Sequence, residues 1–564
     1  MSTSLSQNII PQEPFLTDAK SLKMNERLSI PMIRHRLPCN TGNVNFDIYD
    51  YKMLFNDEKT REIIKSGNTI GCFYIESPGM RSLLKRLSCD TFEMLTAASS
   101  IIRPGVAESG MMQEFIARHK NPKRRSYFIP KMEEYLGETY GVMIYQEDVI
   151  KIAHHIAGLT LEEGDLLRRA MSGKMRSSEA MERLQKKFFV SSKEKGLTDS
   201  ESSELWRQIE SFAGYAFCKA HSASFALLSF QVAYLKSHYP AQFMASVLSN
   251  GGGYYSSAVY IQECKRMGIK VLLPCINKSD YEYDGLDDYV RIGLMAVKNF
   301  SRNSAEKIIE ERKANGKYIS LADFLVRTRL GCEEISILIR CGAMGVFRQT
   351  RPTLMRHLDI YVNHRKLLDE NYRDLFTHES FQLENKVATE KQYSLHEICA
   401  IEYEIFGYMV TRHPLYFYEK ILKRNDIIKS AEMNRYNGRT IKMVGWFMTS
   451  KRIKTKKGEI MKFLSLEDLT GTFEAVIFPK AYAKYANQTV SMGPYLLKGK
   501  VDMDGGNNIV VEQLAVLSVK EVKAASQKDS AENKYLGDVE KVFEEEFELA
   551  AALNTKKIKL AYCA

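Results

Sequence analysis

No two of the ten cysteines stand in a Cys-x-x-Cys pair. Structural zinc needs clustered thiolates or imidazoles, so this spacing offers no zinc site. Unpaired cysteines among apolar neighbours, such as Cys72, Cys218 and Cys341, suit a reducing compartment. The polar, acid-bearing N-terminus lacks the charged-then-apolar pattern of a leader. The longest apolar stretch, Ala223 to Leu235, is broken by serines and a glutamine and closed by Lys236, too short to span a bilayer. A cytoplasmic protein without a membrane partner is the expectation. Two catalytic signatures are also missing. There is no G-x-x-x-x-G-K-[ST] loop, and His396-Glu397 is followed by Ala400 where a zinc protease helix needs its second histidine. The run Gly251-Gly252-Gly253 reads as a helix connector rather than a phosphate cradle.

What the sequence does have is length, balance and a change of period. Its 564 residues predict three or more domains. Lysine and arginine outnumber acids 80 to 69, a net +11, which has the sign for a polyanionic partner. A solvated basic surface would read the same way. Residues 1–45 show no sustained periodicity, and 46–285 are mainly helical. Val142 to Ala153 has apolar residues at three- and four-residue spacings. Gly158 then fits a helix stop, and Thr160 with Glu163 a capping box. A second helix over Ser222–His238 ends ahead of Pro240, and Val271-Leu272-Leu273-Pro274 reads as a short strand or extended connector. Residues 286–350 hold two helical units, Val290 to Arg312 and Leu330 to Ala343, and 351–435 mix helix with charged connectors.

Over 436–520 the period falls to two. Thr440 to Trp446 and Phe473 to Phe478 alternate, and Lys456-Lys457-Gly458 and Asp504-Gly505-Gly506-Asn507 supply hairpin turns. Several short strands with basic turns predict a small barrel of the oligonucleotide-binding kind. The tail, 521–564, is charged and predicts an acidic amphipathic helix with Val539, Phe543 and Phe547 on one face. The fold class expected is multidomain α+β, a mainly α-helical part followed by a β-barrel.

Two segments carry candidate chemistry. Arg168, Arg169, Lys174 and Arg176 concentrate positive charge at a helix end and the following loop. Arginine forks match phosphate oxygens two at a time, so the group suits a triphosphate. An ordinary basic helix end is the plainer reading. In Phe212 to Ser222, aromatics at Tyr215 and Phe217 lead into Lys219 and His221 at the start of the apolar helix. Helix-terminal amides and stacking faces suit a nucleotide, while a core aromatic pair with a capping histidine fits equally.

Four strings resemble the bacterial C-family DNA polymerase, the DNA polymerase III alpha subunit family. They are Ile101-Ile102-Arg103-Pro104-Gly105, Tyr140 to Val149, Leu167-Arg168-Arg169-Ala170-Met171 and Gly214 to Ser222. Gly71 to Met80 resembles the family's entry to the fingers, with Tyr74 where glutamine is usual. The resemblance covers about 45 to 520. It implies a fingers domain over 46–285, with Arg168, Arg169 and Lys174 on the phosphates of an incoming deoxynucleoside triphosphate and Lys219 and His221 lining the pocket. Tyr145, Gln146 and Glu147 would support them from behind. It implies a tandem helix-hairpin-helix unit over 286–350, gripping duplex phosphates. There Lys298-Asn299-Phe300-Ser301 replaces paired glycines, and Gly342 and Gly345 are kept. Asparagine tolerates the positive φ that such a hairpin uses.

The resemblance further implies an OB-fold domain over 436–520. Lys451, Arg452 and Lys456 would meet single-stranded template, and Trp446, Phe463 and Phe473 are candidates to stack its bases. In the helical connector Tyr372-Arg373-Asp374-Leu375-Phe376 is the candidate for holding a sliding clamp, one turn of ordinary helix being the alternative. The complete polymerase uses Mg2+ on palm aspartates. Asp47 and Asp50 fall in the connector before the fingers, and Asp502-Met503-Asp504 reads as a turn, so no Mg2+ is expected on this chain alone. It is expected to be the C-terminal part of a template-directed DNA polymerase, inactive by itself. A noncatalytic DNA-binding half of a split polymerase, completed by a separate palm-bearing chain, is the alternative, and a decayed fragment is a third.

Overall fold

The computed structural model describes residues 46–102, 110–171, 178–211, 218–363, 388–455, 457–503 and 506–517. The expectations for 1–45, Arg103 to Gly105, Lys174, Arg176, Tyr215, Phe217, Tyr372 to Phe376, Lys456, Asp504-Gly505 and the tail fall outside these residues.

The first half is built around one helix that is apolar on most of its sides. Short helices α1 (Glu58–Lys65), α2 (Pro78–Leu87) and α3 (Phe92–Ile101) precede α4 (Gln146–Lys151) and α5 (Leu161–Met171). The long α6 (Lys219–His238) follows, then α7 (Pro240–Asn250) and α8 (Ser257–Arg266). Helix α2 starts where its sequence says it should, with Ser77 capping and Pro78 in the first turn. Helix α6 buries Ala226, Phe230 and Ala233, with small serines letting its neighbours approach. The hydroxyl of Ser100 on α3 donates to that of Ser222 at 2.7 Å.

The expected helix over Val142–Ala153 is shorter. Asp148 turns back to accept the amides of Ile144 and Tyr145, both at 2.9 Å, which keeps Val142 to Tyr145 out of the helix. After α4 the backbone widens into one π-turn over Ile152–Ile156. The Thr160–Glu163 capping box opens α5 as its sequence predicts, each residue taking the other's amide at 3.0 and 3.2 Å.

A three-stranded sheet follows: β1 (Lys270–Leu272), β2 (Asp284–Leu286) and β3 (Tyr289–Arg291), in the order β1-β3-β2. Val290 therefore lies in a strand, paired to Val271 and Gly285, and not in the helix expected over Val290–Arg312. That helix, α9 (Arg302–Asn315), starts only after Ser301, whose hydroxyl caps the amide of Ser304. The chain runs on through α10 (Leu321–Thr328), α11 (Cys332–Arg340), α12 (Arg351–Asn363) and α13 (Leu395–Phe406). Gly285 is where α7 meets the sheet. A Cβ there would stand 2.3 Å from the carbonyl oxygen of Ala241.

The last part is a closed five-stranded barrel of β4 (Thr440–Lys454), β5 (Ile460–Glu467), β6 (Thr472–Ile477), β7 (Tyr495–Asp502) and β8 (Asn508–Val516), in the order β4-β5-β6-β8-β7. Short strands were expected, but β4 is 15 residues long. Its first half pairs with β7 and its second with β5, with a bulge between Phe447 and Thr449, so one curved strand closes the cylinder. At Gly445, where the pairing passes from β7 to β5, a Cβ would come within 2.8 Å of Leu466 and Phe473. The fold is thus mainly helical, with a β-barrel of the oligonucleotide-binding type at its end.

Barrel and helices share buried surface and a buried ion network. Met448 of β4 packs into the core made by α2, α3 and α6. Lys236, 2% exposed, gives its three protons to the carbonyls of Asn68 and Ile70 and to Glu263, at 2.8, 2.7 and 2.8 Å. Arg266 joins Glu263 at 3.1 Å to Glu467 of β5 at 2.7 Å. His413 accepts the amide of Leu415 on Nδ1, leaving its ring proton on Nε2, 3.4 Å from Glu467. Glu467→Gln removes one partner of a buried pair and is expected to cost about 3 kcal/mol of stability. Urea denaturation measures it, and a loss under about 1 kcal/mol would show that water reaches the network.

Candidate nucleotide and nucleic-acid interface

Helix α4 is short, yet its first two residues hold two of the candidate cations in place. Gln146 accepts from Arg168 at 3.0 Å, and Glu147 accepts the backbone amide of Lys219 at 3.1 and 2.9 Å. Helices α5 and α6 are thereby tied to one point. The start of α6, read from sequence as a source of free amides, already carries a carboxylate of its own chain.

The cations themselves are paired. Arg168 and Arg169 both reach Asp165, three and four places further back and so about one turn away, at 2.8 and 2.7 Å. The Arg168 bond, the largest effect, outweighs the upward push of burial and, with the charges of both guanidiniums, holds the Asp165 carboxyl below its ordinary range. Lys219 extends its ammonium to Glu138 at 2.6 Å and lies 5.3 Å from the ring of Tyr145. Tyr145 is 1% exposed, and burial pushes its phenol far up. His221 is exposed and meets Phe225 edge-on at 4.6 Å; Phe225 in turn stacks on Tyr74 at 4.8 Å. The structure therefore groups Arg168, Arg169, Gln146 and Asp165 in one cluster, and Lys219, Glu147, Glu138 and Tyr145 in a second joined to it through α4.

Glu138 and Asp165 went unassigned in the sequence reading. Asp165 had a signal, three and four places before two arginines. Glu138 had none, since its partner lies 81 residues on.

The duplex-gripping candidates are more engaged. Asn299 takes φ +60, the left-handed geometry expected of it. Lys298, however, sends its backbone amide to Ile405 and its ammonium to the carbonyl of Glu404, at 3.1 and 3.4 Å, at the end of α13. Gly342 has φ +86, and a Cβ there would stand 2.7 Å from the guanidinium of Arg351. Its lack of a side chain serves an internal contact.

On the barrel, Lys451 and Arg452 of β4 are exposed. Of the three stacking candidates, Phe463 borders a cleft with room for about 470 Å³, shared with Tyr74, Met80, Tyr254 and Lys451. Phe473 is buried in the barrel interior and is corrected from a stacking residue to a packing residue, while Trp446 is half-buried and packs against Leu415 and Tyr418.

Aspartates considered for metal serve the backbone. Asp47 and Asp50 accept the amides of Tyr49 and Met53, at 2.9 and 3.0 Å, and Asp502 ends β7. Among the described residues no three His, Cys, Asp or Glu side chains converge as a metal-holding group. Among them, too, no helix is long and apolar enough to cross a membrane.

The described residues thus comprise a helical domain with clustered arginines, further helices and a closed five-stranded barrel of the oligonucleotide-binding type. Residues 32–196 match the bacterial DNA polymerase III alpha subunit finger domain, and residues 268–354 the helix-hairpin-helix motif. The DNA polymerase III subunit alpha of Campylobacter jejuni is 35% identical, over 80% of this chain and 39% of its own length. Those of Saccharopolyspora erythraea and Aquifex aeolicus are 32% and 31% identical, over 79% and 81% of this chain and 39% and 38% of theirs. Over the region so matched, the chain belongs to the DNA polymerase III alpha subunit family. It spans about two fifths of the length of these curated relatives.

One ionisation near α4 is accessible to test. Burial pushes the Asp148 carboxyl up to about 6, against the pull of its two amide bonds. Its folded value lies above the ordinary value near 4, so folding favours the protonated form. That contribution is full below about pH 4 and is lost as pH rises to about 6, up to ~3 kcal/mol. Asp148→Asn keeps an oxygen for both amides and is expected to flatten the melting temperature between pH 4 and pH 6. An unchanged slope in the variant would assign it to other groups.

Proposed function

We propose that this chain supplies the strand- and nucleotide-holding parts of template-directed DNA synthesis in bacterial DNA replication. The observation that carries the reading is the double tie of α4, which sets Arg168 and Lys219 at fixed positions from one support. Deoxynucleoside triphosphate would enter between them, Arg168 and Arg169 exchanging Asp165 for phosphate oxygens and Lys219 leaving Glu138. These ion pairs are partly or largely exposed, and such pairs contribute about 1 kcal/mol or less, so the exchange costs little. Lys174 and His221 complete the proposed contacts.

Single-stranded template would run over Lys451, Arg452 and Lys456 and present a base to Phe463. The duplex would be held at the hairpin of Lys298 and Asn299 and at Gly342. For Lys298 this requires its ammonium to leave the Glu404 carbonyl. A sliding clamp at Tyr372–Phe376 and a cytoplasmic location belong to the same proposal.

DNA synthesis of this kind uses Mg2+ on clustered carboxylates. The described residues do not fit those ions. The residues argued here therefore bind and orient substrate and strands, and carboxylates from outside the described residues, on a palm-bearing segment or a separate chain, would be needed for chemistry.

Primer extension and fluorescence anisotropy on a labelled primer–template test this together. Binding that weakens steeply with salt, without extension until a palm-bearing polypeptide is added, is the expected result. Arg168→Gln is expected to leave primer–template affinity within about twofold while weakening deoxynucleotide binding about tenfold, as removal of a charge-assisted bond implies. Equal nucleotide affinity in the variant, or no DNA binding by the parent chain, would overturn the assignment.

A further inference from the structure

Along the seam between the helical part and the barrel lies a second cleft, with room for about 440 Å³, which none of the nucleotide or template candidates lines. Its walls are α2, α8 and the turn between β5 and β6. Four cations border it, Arg81, Lys85, Lys236 and Arg266, against one carboxylate, Glu263.

Two of the four are satisfied. Lys236 has its three acceptors. Arg81 donates to the carbonyl of Gly67 at 2.9 Å and to the hydroxyl of Thr472 at 3.1 Å. Glu263 is committed as well, one oxygen to Lys236 and the other to Arg266. Those two charges outweigh the upward push of burial and hold its carboxyl at about 2.

The other two cations are incomplete. Arg266 uses Nε and Nη1, but its Nη2 is buried with no acceptor among the described residues. Lys85 forms no hydrogen bond or ion pair among the described residues, although burial and the nearby Arg81 both push its ammonium pKa down. A buried donor left unmade, and an ammonium kept against a guanidinium, are each unfavourable unless an anion completes them. The hydroxyl of Thr472 accepts from Arg81 and keeps its own proton to give. We propose that this cleft is a seat for a phosphate group, whose oxygens take Lys85 Nζ and the Thr472 hydroxyl, beside the positive charge of Arg81 and Arg266.

The seat connects to the template candidates along the seam. Arg81, Lys85, Thr472 and Asn507 border both this cleft and a smaller one, which shares Pro78, Ser465 and Glu474 with the cleft of Phe463 and Lys451. The three clefts thus adjoin one another from the aromatic face of Phe463 to the cations, with the Glu474 carboxyl on the wall between them. That shape suits a strand laying a backbone phosphate at the far end, and free inorganic phosphate has the same chemistry. The seat requires no polymerase activity and stands apart from the reading above.

The test uses the whole chain, Lys85→Gln and Lys85→Arg, with melting curves to establish that all three are folded. Sodium phosphate is titrated by calorimetry, and a labelled oligothymidylate by anisotropy over a salt series. Lys85→Gln is expected to weaken binding about tenfold, with Lys85→Arg close to the parent. A loss for the oligonucleotide, with a log–log salt slope shallower by about one, assigns a backbone phosphate. A loss for inorganic phosphate alone assigns the free ion. Binding of both probes unchanged by Lys85→Gln, binding of neither by the parent, or failure of Lys85→Arg to restore affinity overturns the seat.

Discussion

The buried sequence of charges Lys236–Glu263–Arg266–Glu467 fixes how the two halves of the described structure sit together. Lys236 and Glu263 expose 2% and 9% of their side chains, and Glu467 only 2%. Little of these side chains reaches solvent, so a barrel docked in any other register would leave a largely buried charge unpaired at a cost of several kcal/mol. Apolar contact through Met448 supplies adhesion without direction, since hydrophobic burial is indifferent to register. The ionic network supplies the direction.

The same kind of pair does opposite work a short distance away. Arg169 with Asp165 and Lys219 with Glu138 have comparable distances to the buried pairs, but their side chains are 59% and 33%, and 38% and 47%, exposed. Solvent and salt compete for exposed charges, so those pairs are weak and open to exchange. Exposure, rather than bond length, separates a structural pair from an exchangeable one. Lys85 is a third case, partly buried and without a carboxylate partner among the described residues.

Much of this was legible from local sequence, because some signals are complete within a few residues. Thr160 and Glu163 announced a capped helix, Asn299 a left-handed turn, and the alternation from Thr440 a barrel strand. The arginine cluster and its link to the polymerase family came from adjacent strings. What stayed hidden depends on pairs far apart in the chain. Nothing near Lys236 indicates that its ammonium will be buried, and Arg266 and Glu467 are 201 residues apart. Val290 was read as helical because a three-residue strand offers too little period to recognise. Phe473 was read as an outward candidate because alternation alone does not say which face of a barrel strand is the inner one.

The length of β4 sets a limit on how this chain can change over time. Its first half is in register with β7, its second with β5, and between them it delivers Met448 to the helical core. Adding or deleting one residue within it would turn every following side chain to the opposite face, emptying one core and clashing with another. Loops elsewhere absorb such changes, because closing a longer loop costs little. Among relatives, variation in length should therefore gather in the barrel's turns and spare this strand, while substitutions in it remain free at exposed positions such as Lys451 and Arg452.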